Sequence, residues 1–323
     1  MASKPAIQAR NSGATKAVAG KAITTKAGGP TANVGTPATP VKAPAFQIES
    51  HQDRERFLKM LVYGDYGVGK TYLAGTAADV PEMRDVLIIN AESGDLTLDS
   101  DEHSFDKIDV VTVQNYNQCS RVYEYLKLHS QFRLEGNDEK LRGLQDLLFA
   151  DNIKDPKRLR KYCTVVVDSL TEVEAYCMNQ LLGISDTTKL DDEVQSAEWS
   201  EYKKNHSMMQ RMVRNFRNLP MHVIMTCARN YIQNEQKQML FSPQMTGKLS
   251  GQIQGFMDMV GFLVLGATTE DGRIPRRLYV QPTGKFAAKC RFSSFKGDHI
   301  DNPTIKVILD AVGLSMTKNT SKK

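Results

Sequence analysis

Eight consecutive residues, 64–71, constrain the fold of this chain more than any other feature. They read Gly-Asp-Tyr-Gly-Val-Gly-Lys-Thr and complete the pattern G-x-x-x-x-G-K-[ST]. A short apolar run, residues 60–63, precedes them, and a segment of helical character follows. In a strand, loop and helix context, such glycines let backbone N–H groups turn inward around phosphates. The alternative is a glycine turn without a ligand, and the complete pattern in the required context argues against it.

The loop predicts ATP and Mg²⁺ as ligands. We expect Lys70 to reach the β- and γ-phosphates, and the hydroxyl of Thr71 to face Mg²⁺. The expected nucleotide contacts are the whole loop and the residue after it: Gly64, Asp65, Tyr66, Gly67, Val68, Gly69, Lys70, Thr71 and Tyr72.

The rest of the chain predicts an α/β fold, with a mostly parallel sheet flanked by helices. Apolar runs of strand length alternate with segments of helical period, which is the pattern of βαβ units. A helix is expected over residues 118–128, and a β-hairpin near the C-terminus is expected across Asp271 and Gly272. Two polar stretches, residues 136–161 and 233–248, are expected to be surface insertions or loops. The expected strands are residues 60–63, 86–89, 108–113, 164–167, 222–226 and 262–265.

The first fifty residues differ in composition from the rest. They are rich in Ala, Thr, Gly, Pro and Lys and nearly lack large apolar side chains, so they cannot offset the entropy of ordering. Six basic residues against one acidic residue give this segment a charge equal to the whole chain's +5. We expect a disordered basic leader at 1–52, a folded core at 53–315 and a disordered tail at 316–323. The leader either contacts nucleic-acid phosphates or is solvated without a partner.

Composition also limits the cellular compartments in which the protein is expected. No stretch approaches a membrane span, and the five cysteines form no C-x-x-C pair. The six histidines are scattered, which gives a zinc site little support. We therefore expect a cytoplasmic protein with reduced thiols and no membrane partner.

Two carboxylates are candidates for the chemistry of a bound triphosphate. Asp168 directly follows the apolar run at 164–167, and such a residue emerges at the carboxyl edge of the sheet to hold the metal. Its strand is expected beside the first, and capping the next helix is its alternative role. Glu92 follows the run at 86–89 and could activate water, although a loop glutamate would look the same.

The set formed by residues 64–71, Asn90-Ala91-Glu92 and residues 165–170 resembles RecA and its relatives in order and local wording. This resemblance implies a RecA-like P-loop NTPase fold, with Glu92 as the catalytic glutamate and Thr226 as the polar sensor of the γ-phosphate. Three later segments are residues 199–202, residues 243–248 and Lys289-Cys290-Arg291. In this order they resemble the corresponding segments of phage-encoded, core-only RecA-like ATPases that act in single-strand annealing or recombination.

The resemblance also implies partners. Lys289 and Arg291 would contact the γ-phosphate of a neighbouring subunit in a ring or filament, with DNA-phosphate contact or a solvated face as alternatives. Single-stranded DNA would bind along the stretch 229–254. The function implied is DNA-stimulated, Mg²⁺-dependent ATP hydrolysis in recombination, annealing or replication. An annealing or single-strand-binding protein is a further partner, and the host cytoplasm is the location if a phage encodes the chain. The DNA-binding candidates are Arg229, Tyr231, Lys237 and Lys248.

Two other functions remain open. A P-loop small-molecule kinase uses the same cradle with an arginine-rich lid, and Arg142, Arg158 and Arg160 lie in the insertion at 136–161. A nucleotide-gated assembly factor would use the leader to dock a partner. Separate strands for Glu92 and Asp168 favour a hydrolase over a kinase.

Overall fold

The expected leader, apart from Ser50, and the expected tail lie outside the residues that the structure describes. The chain divides between Arg54 and Glu55, and every helix and strand below belongs to the unit that begins at Glu55. The expected boundaries of leader, core and tail therefore stay predictions. The structure, a computed structural model, describes Ser50 and residues 56–99, 102–151, 153–233, 237–270 and 272–314.

The elements alternate along the chain as expected for an α/β fold. The strands are β1 Lys59–Gly64, β2 Val86–Asn90, β3 Ile108–Thr112, β4 Thr164–Asp168, β5 His222–Gln233, β6 Met239–Pro243, β7 Met259–Leu265, β8 Arg276–Tyr279, β9 Lys289–Cys290 and β10 His299–Asp301. The helices are α1 Lys70–Gly75, α2 Tyr116–Leu134, α3 Asp138–Leu148, α4 Leu170–Leu181, α5 Trp199–Arg217, α6 Leu249–Phe256 and α7 Ile305–Val312.

The strands form one sheet in the order β10-β8-β7-β1-β5-β4-β2-β3, with β6 beside β5 and β9 beside β7. The six strands from β7 to β3 in this order run parallel. The remaining pairings are antiparallel and include the C-terminal hairpin β7–β8. Parallel strands are covered on both faces, which is why β1, β2 and β4 are buried throughout their length. The predicted mostly parallel sheet with a C-terminal hairpin is confirmed.

Alternating residues of β1 divide the core between the two faces of the sheet. Leu61 and Tyr63 pack toward α2, α4, α5 and α6, while Met60 and Val62 pack toward α1 and α7. All four side chains are fully buried. Because the side-chain period of a strand is two, this register gives each face its own apolar layer. The sheet is thereby fixed between two helical layers.

Three expectations about local structure need correction. The helix expected over residues 118–128 is longer, because Asn115 caps its start and accepts a hydrogen bond from Gln118 N. The first polar stretch contains α3, which buries Leu141 among charged neighbours and begins after a cap at Asn137. The second contains β6, which pairs with the extension of β5. Both elements expose polar residues, so the sequence of each stretch resembled a loop rather than a helix or strand.

Candidate functional site

The phosphate loop leaves β1 at Gly64 and enters α1 at Lys70. Gly67 and Gly69 have φ angles of 73° and 97°, which side chains of L-residues avoid. A Cβ atom at Gly64 would lie 2.4 Å from the carbonyl oxygen of Leu263 in β7. The backbone conformation therefore requires glycine at two of these positions, and the close approach of β7 requires it at the third.

Lys70 is buried, and its ammonium folds back onto the loop. Nζ donates hydrogen bonds to the carbonyl oxygens of Gly64, at 3.3 Å, and Asp65, at 2.9 Å. Burial lowers the pKa of Lys70, and the nearby carboxylates of Glu92 and Asp168 oppose this change. These carbonyl contacts can be exchanged for phosphate oxygens, which are stronger partners for an ammonium.

Asp168 ends β4, is almost fully buried and connects two other predicted site residues, Thr71 and Thr226. Its Oδ2 accepts a hydrogen bond from Thr71 Oγ1 at 2.6 Å. Its Oδ1 accepts one from the buried hydroxyl of Thr226. The residue that caps α4 is Ser169, so Asp168 does not have the capping role that was its alternative. Thr226 contacts the nucleotide-binding apparatus through this carboxylate.

The strand of Asp168 is not the immediate neighbour of the phosphate-loop strand, which corrects the expected arrangement. β5 lies between β1 and β4. Thr226, on β5, spans the intervening position through its hydrogen bond to Asp168. The sequence did not predict this order, because β5 comes after both β1 and β4 in the chain but lies between them in the sheet.

The oxygen atoms near Thr71 fit Mg²⁺. This ion binds proteins through one or two oxygen ligands and completes its shell with phosphates and waters. Thr71 Oγ1 and Asp168 Oδ2 supply such a pair. Gly94 faces them: a Cβ atom there would lie 3.5 Å from Thr71 Oγ1 and 4.0 Å from Asp168 Oδ2. The absence of a side chain at this glycine leaves space beside the two oxygens.

Glu92 follows β2 at the same edge of the sheet and is half-buried. Its Oε1 accepts a hydrogen bond from the hydroxyl of Ser169. Burial raises the pKa of Glu92, the Ser169 hydrogen bond opposes this, and Asp168 adds a smaller upward contribution. A carboxylate with a raised pKa is a better proton acceptor near neutral pH. Sequence reasoning missed Ser169, although it immediately follows the predicted metal ligand.

Arg229 lies directly beside the phosphate loop. It follows Ala228, which is paired with Gly64, and its Nε forms an ion pair with the Asp65 carboxylate. Its guanidinium also lies 4.6 Å from the ring centroid of Phe241 and 5.1 Å from that of Tyr231. Arg229 thus connects the phosphate loop to the antiparallel pair of β5 and β6.

Of the other DNA-binding candidates, Tyr231 lies on β5, Lys237 lies between β5 and β6, and Lys248 follows β6. Tyr231 and Lys237 are both exposed, and the Lys237 carbonyl accepts a hydrogen bond from Gln233 at 3.2 Å. Lys248 is exposed immediately before α6. The structure brings Arg229 and Tyr231 together and places Lys248 on a separate segment.

Lys289 and Arg291 are not at the phosphate loop of their own chain. β9 pairs with the first residues of β7, at the edge of the sheet opposite the loop. Lys289 Nζ donates to the carbonyls of Gln254, Gly255 and Met257 at 3.1, 3.3 and 2.8 Å. Arg291 donates to Gly255 O and to Asp258. Contact with a neighbouring subunit's phosphate remains a prediction for both.

A different arginine, Arg276 on β8, lies against the phosphate loop. Its Nε donates to the Val68 carbonyl at 3.0 Å, and its guanidinium lies 5.5 Å from the ring centroid of Tyr72. Tyr72, whose hydroxyl contacts His103 Nε2 at 2.6 Å, begins a polar chain that continues from His103 to Asp79. Sequence reasoning missed this arginine because a two-stranded pairing, not a motif, brings it to the loop.

The arginines considered for a kinase lid stabilise the insertion instead. Arg158 pairs with Asp85, just before β2, and Arg160 pairs with Asp109 at the start of β3. Arg142 donates to a backbone carbonyl of the same insertion at 3.3 Å. Both ion pairs lie toward the amino ends of their strands, whereas the phosphate loop follows the carboxyl end of β1.

The parallel sheet, the glycine loop and the carboxylates at the carboxyl ends of β2 and β4 define a RecA-like P-loop nucleoside triphosphatase fold. Residues 56–292 match the model of the AAA domain family, and the chain belongs to that family. It is therefore a nucleotide-binding protein of the ATPase class. A search of curated proteins found no match. Within the described residues, no helix has both the length and the apolar character needed to cross a membrane.

Three solved structures illustrate the range of similar chains. The flagellar accessory protein FlaH of Methanocaldococcus jannaschii is 10% identical, with 76% of this chain and 85% of that chain covered and a TM-score of 0.35. The RadB recombinase is 15% identical, with coverage of 69% and 81% and a TM-score of 0.34. A KaiC-like protein from Pyrococcus horikoshii OT3 is 12% identical, with coverage of 76% and 92% and a TM-score of 0.38. Because these identities and TM-scores are low, the fold is defined by strand order and loop geometry and not by these similarities.

Proposed function

We propose that this protein binds Mg²⁺ and ATP at residues 64–71, hydrolyses the ATP, and couples hydrolysis to binding of single-stranded DNA. The observation that carries the catalytic part is the convergence of Lys70, Thr71, Asp168 and Glu92 at one edge of the sheet. Each meets a different requirement of phosphoryl transfer to water. Lys70 provides a cation for the phosphates, and Glu92 provides a base for the water. Thr71 and Asp168 provide a hydroxyl and a carboxylate for the metal ion.

In the proposed reaction, Lys70 leaves the carbonyls of Gly64 and Asp65 and contacts the β- and γ-phosphates. Thr71 and Asp168 would hold Mg²⁺, which would supply positive charge to the phosphates. Glu92 accepts a proton from water as the water oxygen attacks the γ-phosphorus, and ADP leaves. Ser169 donates to Glu92 and holds its carboxylate in place.

The DNA part of the proposal is supported by the position of Arg229. Its ion pair with Asp65 joins the phosphate loop to the strands that carry the candidate DNA contacts. The exposed ring of Tyr231 packs against Phe241, with the ring centroids 4.7 Å apart, and bases stack on exposed aromatic rings without sequence preference. A strand of DNA bound here would be connected to the nucleotide through a single ion pair.

Assembly into a ring or filament is part of the same proposal, with Lys289 and Arg291 acting on a neighbouring subunit's nucleotide. Subunit mixing tests this point. Protein carrying Arg291→Ala and protein carrying Lys70→Ala should each have little activity alone. Mixing them should restore hydrolysis, because the Lys70→Ala subunit supplies Arg291 to a neighbour whose own phosphate loop is intact. Mixtures that stay as inactive as the separate variants would oppose action between subunits.

ATPase measurements with and without poly-dT test the function as a whole. Stimulation of phosphate release by poly-dT, abolished in Lys70→Ala, is the expected result. Transfer of the γ-phosphate to a nucleoside monophosphate would indicate the kinase alternative. ATP binding without activation by either addition would favour an assembly factor. A recombination or annealing role depends on the first outcome, and a phage origin and a cytoplasmic location are further parts of the proposal.

A further inference from the structure

The backbone of Arg276 is held firmly at the edge of the site. Its N–H donates to Asn302 Oδ1 at 3.1 Å, and its carbonyl accepts from Asn302 N at 2.7 Å. It is also paired with Leu265 across the β7–β8 hairpin. Because hydrogen bonds flank Arg276 on both sides, its side chain leaves the sheet in a defined direction, toward the phosphate loop.

The Arg276 side chain contacts the loop at one peptide. Nε donates to the Val68 carbonyl at 3.0 Å, and a Cβ atom on Gly69 would lie 2.7 Å from the same Nε and 3.3 Å from a terminal nitrogen. The guanidinium therefore lies directly against the glycine. The part of the chain that the structure describes offers no hydrogen-bond partner to the terminal amino groups of Arg276.

This contact has a direct consequence for the cradle. In a trans peptide, the carbonyl and the next N–H point in opposite directions. A donor that fixes the Val68 carbonyl outside the loop therefore turns the Gly69 N–H to the other side, where phosphates bind. A charged donor makes a shorter and stronger hydrogen bond than a neutral one, and it polarises the peptide so that its N–H becomes a better donor.

We propose that Arg276 is a positioning residue for nucleotide binding in its own subunit. It holds the Val68–Gly69 peptide with the N–H directed at the α- and β-phosphates. The inference rests on nucleotide binding at this loop, which is one half of the proposed function, and it is independent of DNA. The role proposed for Arg276 differs from that of Lys289 and Arg291, which lie at the opposite edge of the sheet and are proposed to act on a neighbouring subunit's nucleotide.

Calorimetric titration of the full chain with ADP and with a non-hydrolysable ATP analogue, both with Mg²⁺, tests this role. Arg276→Met should weaken both ligands by the same factor, about ten- to a hundredfold, as expected for loss of a charged hydrogen bond. Arg276→Lys, which keeps a cationic donor, should recover at least half of the lost binding free energy. Arg277→Met is the matched control, because Arg277 is adjacent and pairs with Asp301 instead. This control should bind like the wild type.

Steady-state kinetics add a measurement that a purely structural role would not move. In Arg276→Met the KM for ATP should rise while kcat at saturation stays within about threefold, because uniform binding is lost. Wild-type affinity in Arg276→Met would overturn the proposal, as would a loss confined to the ATP analogue, or equal losses in the Lys and Met variants. If Arg276→Met fails to fold, failure of the Lys variant to bind as predicted is sufficient to reject it. Absence of nucleotide binding by the wild-type protein would instead refute the proposed function.

Discussion

Replacing Glu92 by glutamine removes the proposed base while leaving its surroundings nearly unchanged. The amide oxygen of glutamine can still accept the hydrogen bond that Ser169 donates to Glu92. Nucleotide binding should therefore be retained. Removing a general base typically lowers turnover about 10²- to 10⁴-fold, which corresponds to about 2.7 to 5.4 kcal/mol in activation free energy. Most of the catalytic loss should appear in kcat.

The sign of the stability change gives a second measurement on the same variant. Burial raises the pKa of Glu92, so the folded protein binds this proton more tightly than the unfolded chain does. The stabilising contribution is then present at low pH and is lost as the pH rises through the folded-state pKa. Glu92→Gln should consequently raise the thermal midpoint of the nucleotide-free protein at pH 8.

Rapid-quench measurement of ATP hydrolysis from pH 8 down toward the ordinary pKa range of glutamate would test the first effect together with equilibrium binding, and thermal unfolding at pH 8 would test the second. Wild-type turnover should fall on the acid side as Glu92 becomes protonated, and this dependence should be absent in the variant. Glu124→Gln, on the exposed side of α2, is the matched control and should behave like the wild type. Normal turnover in Glu92→Gln would refute the assignment of the base, whatever its stability.

Further substitutions address Thr226 and Arg229 in the site, and the buried Lys59 at the start of β1, outside the site. Thr226→Val removes a buried donor to Asp168 and should lower the free energy of unfolding by about 1–3 kcal/mol in urea titrations; an unchanged value would mean that this bond has no net effect. Arg229→Ala should reduce stimulation of the ATPase by poly-dT, and a double-mutant cycle with Asp65→Ala should show non-additive losses; strictly additive losses would exclude the proposed coupling. Burial lowers the pKa of Lys59 to about 7, so the unfolded chain binds more protons between about pH 7 and 10.5 and stability should rise with pH there. Urea titrations at pH 7.5 and 9.5 should show this rise in the wild type and a smaller one in Lys59→Met; equal rises would contradict it.

The sequence was most informative where backbone geometry or burial on both faces restricts residue choice. Gly67 and Gly69 are required by positive φ angles, so the phosphate loop could be recognised from its spacing. The apolar run that ends at Asp168 reflects a strand covered on both faces, and its last residue necessarily emerges at the carboxyl edge. The proximity of Lys70, Thr71 and Asp168 could be predicted for these reasons, and their roles stay predictions.

Features that depend on contacts between distant segments could not be predicted. Arg276 is 208 residues from its partner Val68, and the strand that contains it has no motif. Ser169 looks like an ordinary helix cap, and only the fold shows that its hydroxyl also contacts Glu92. The strand order, with β5 inserted between β1 and β4, likewise depends on where the chain crosses over the sheet.

A crystal structure with Mn²⁺ in place of Mg²⁺ and a non-hydrolysable ATP analogue would test the central claim most directly. The account predicts an anomalous Mn²⁺ peak bound to Thr71 Oγ1, with Asp168 in contact directly or through one water. It also predicts that Lys70 Nζ will have moved from the Gly64 and Asp65 carbonyls to the phosphates. A triphosphate bound elsewhere, or a metal ion remote from both Thr71 and Asp168, would contradict the account.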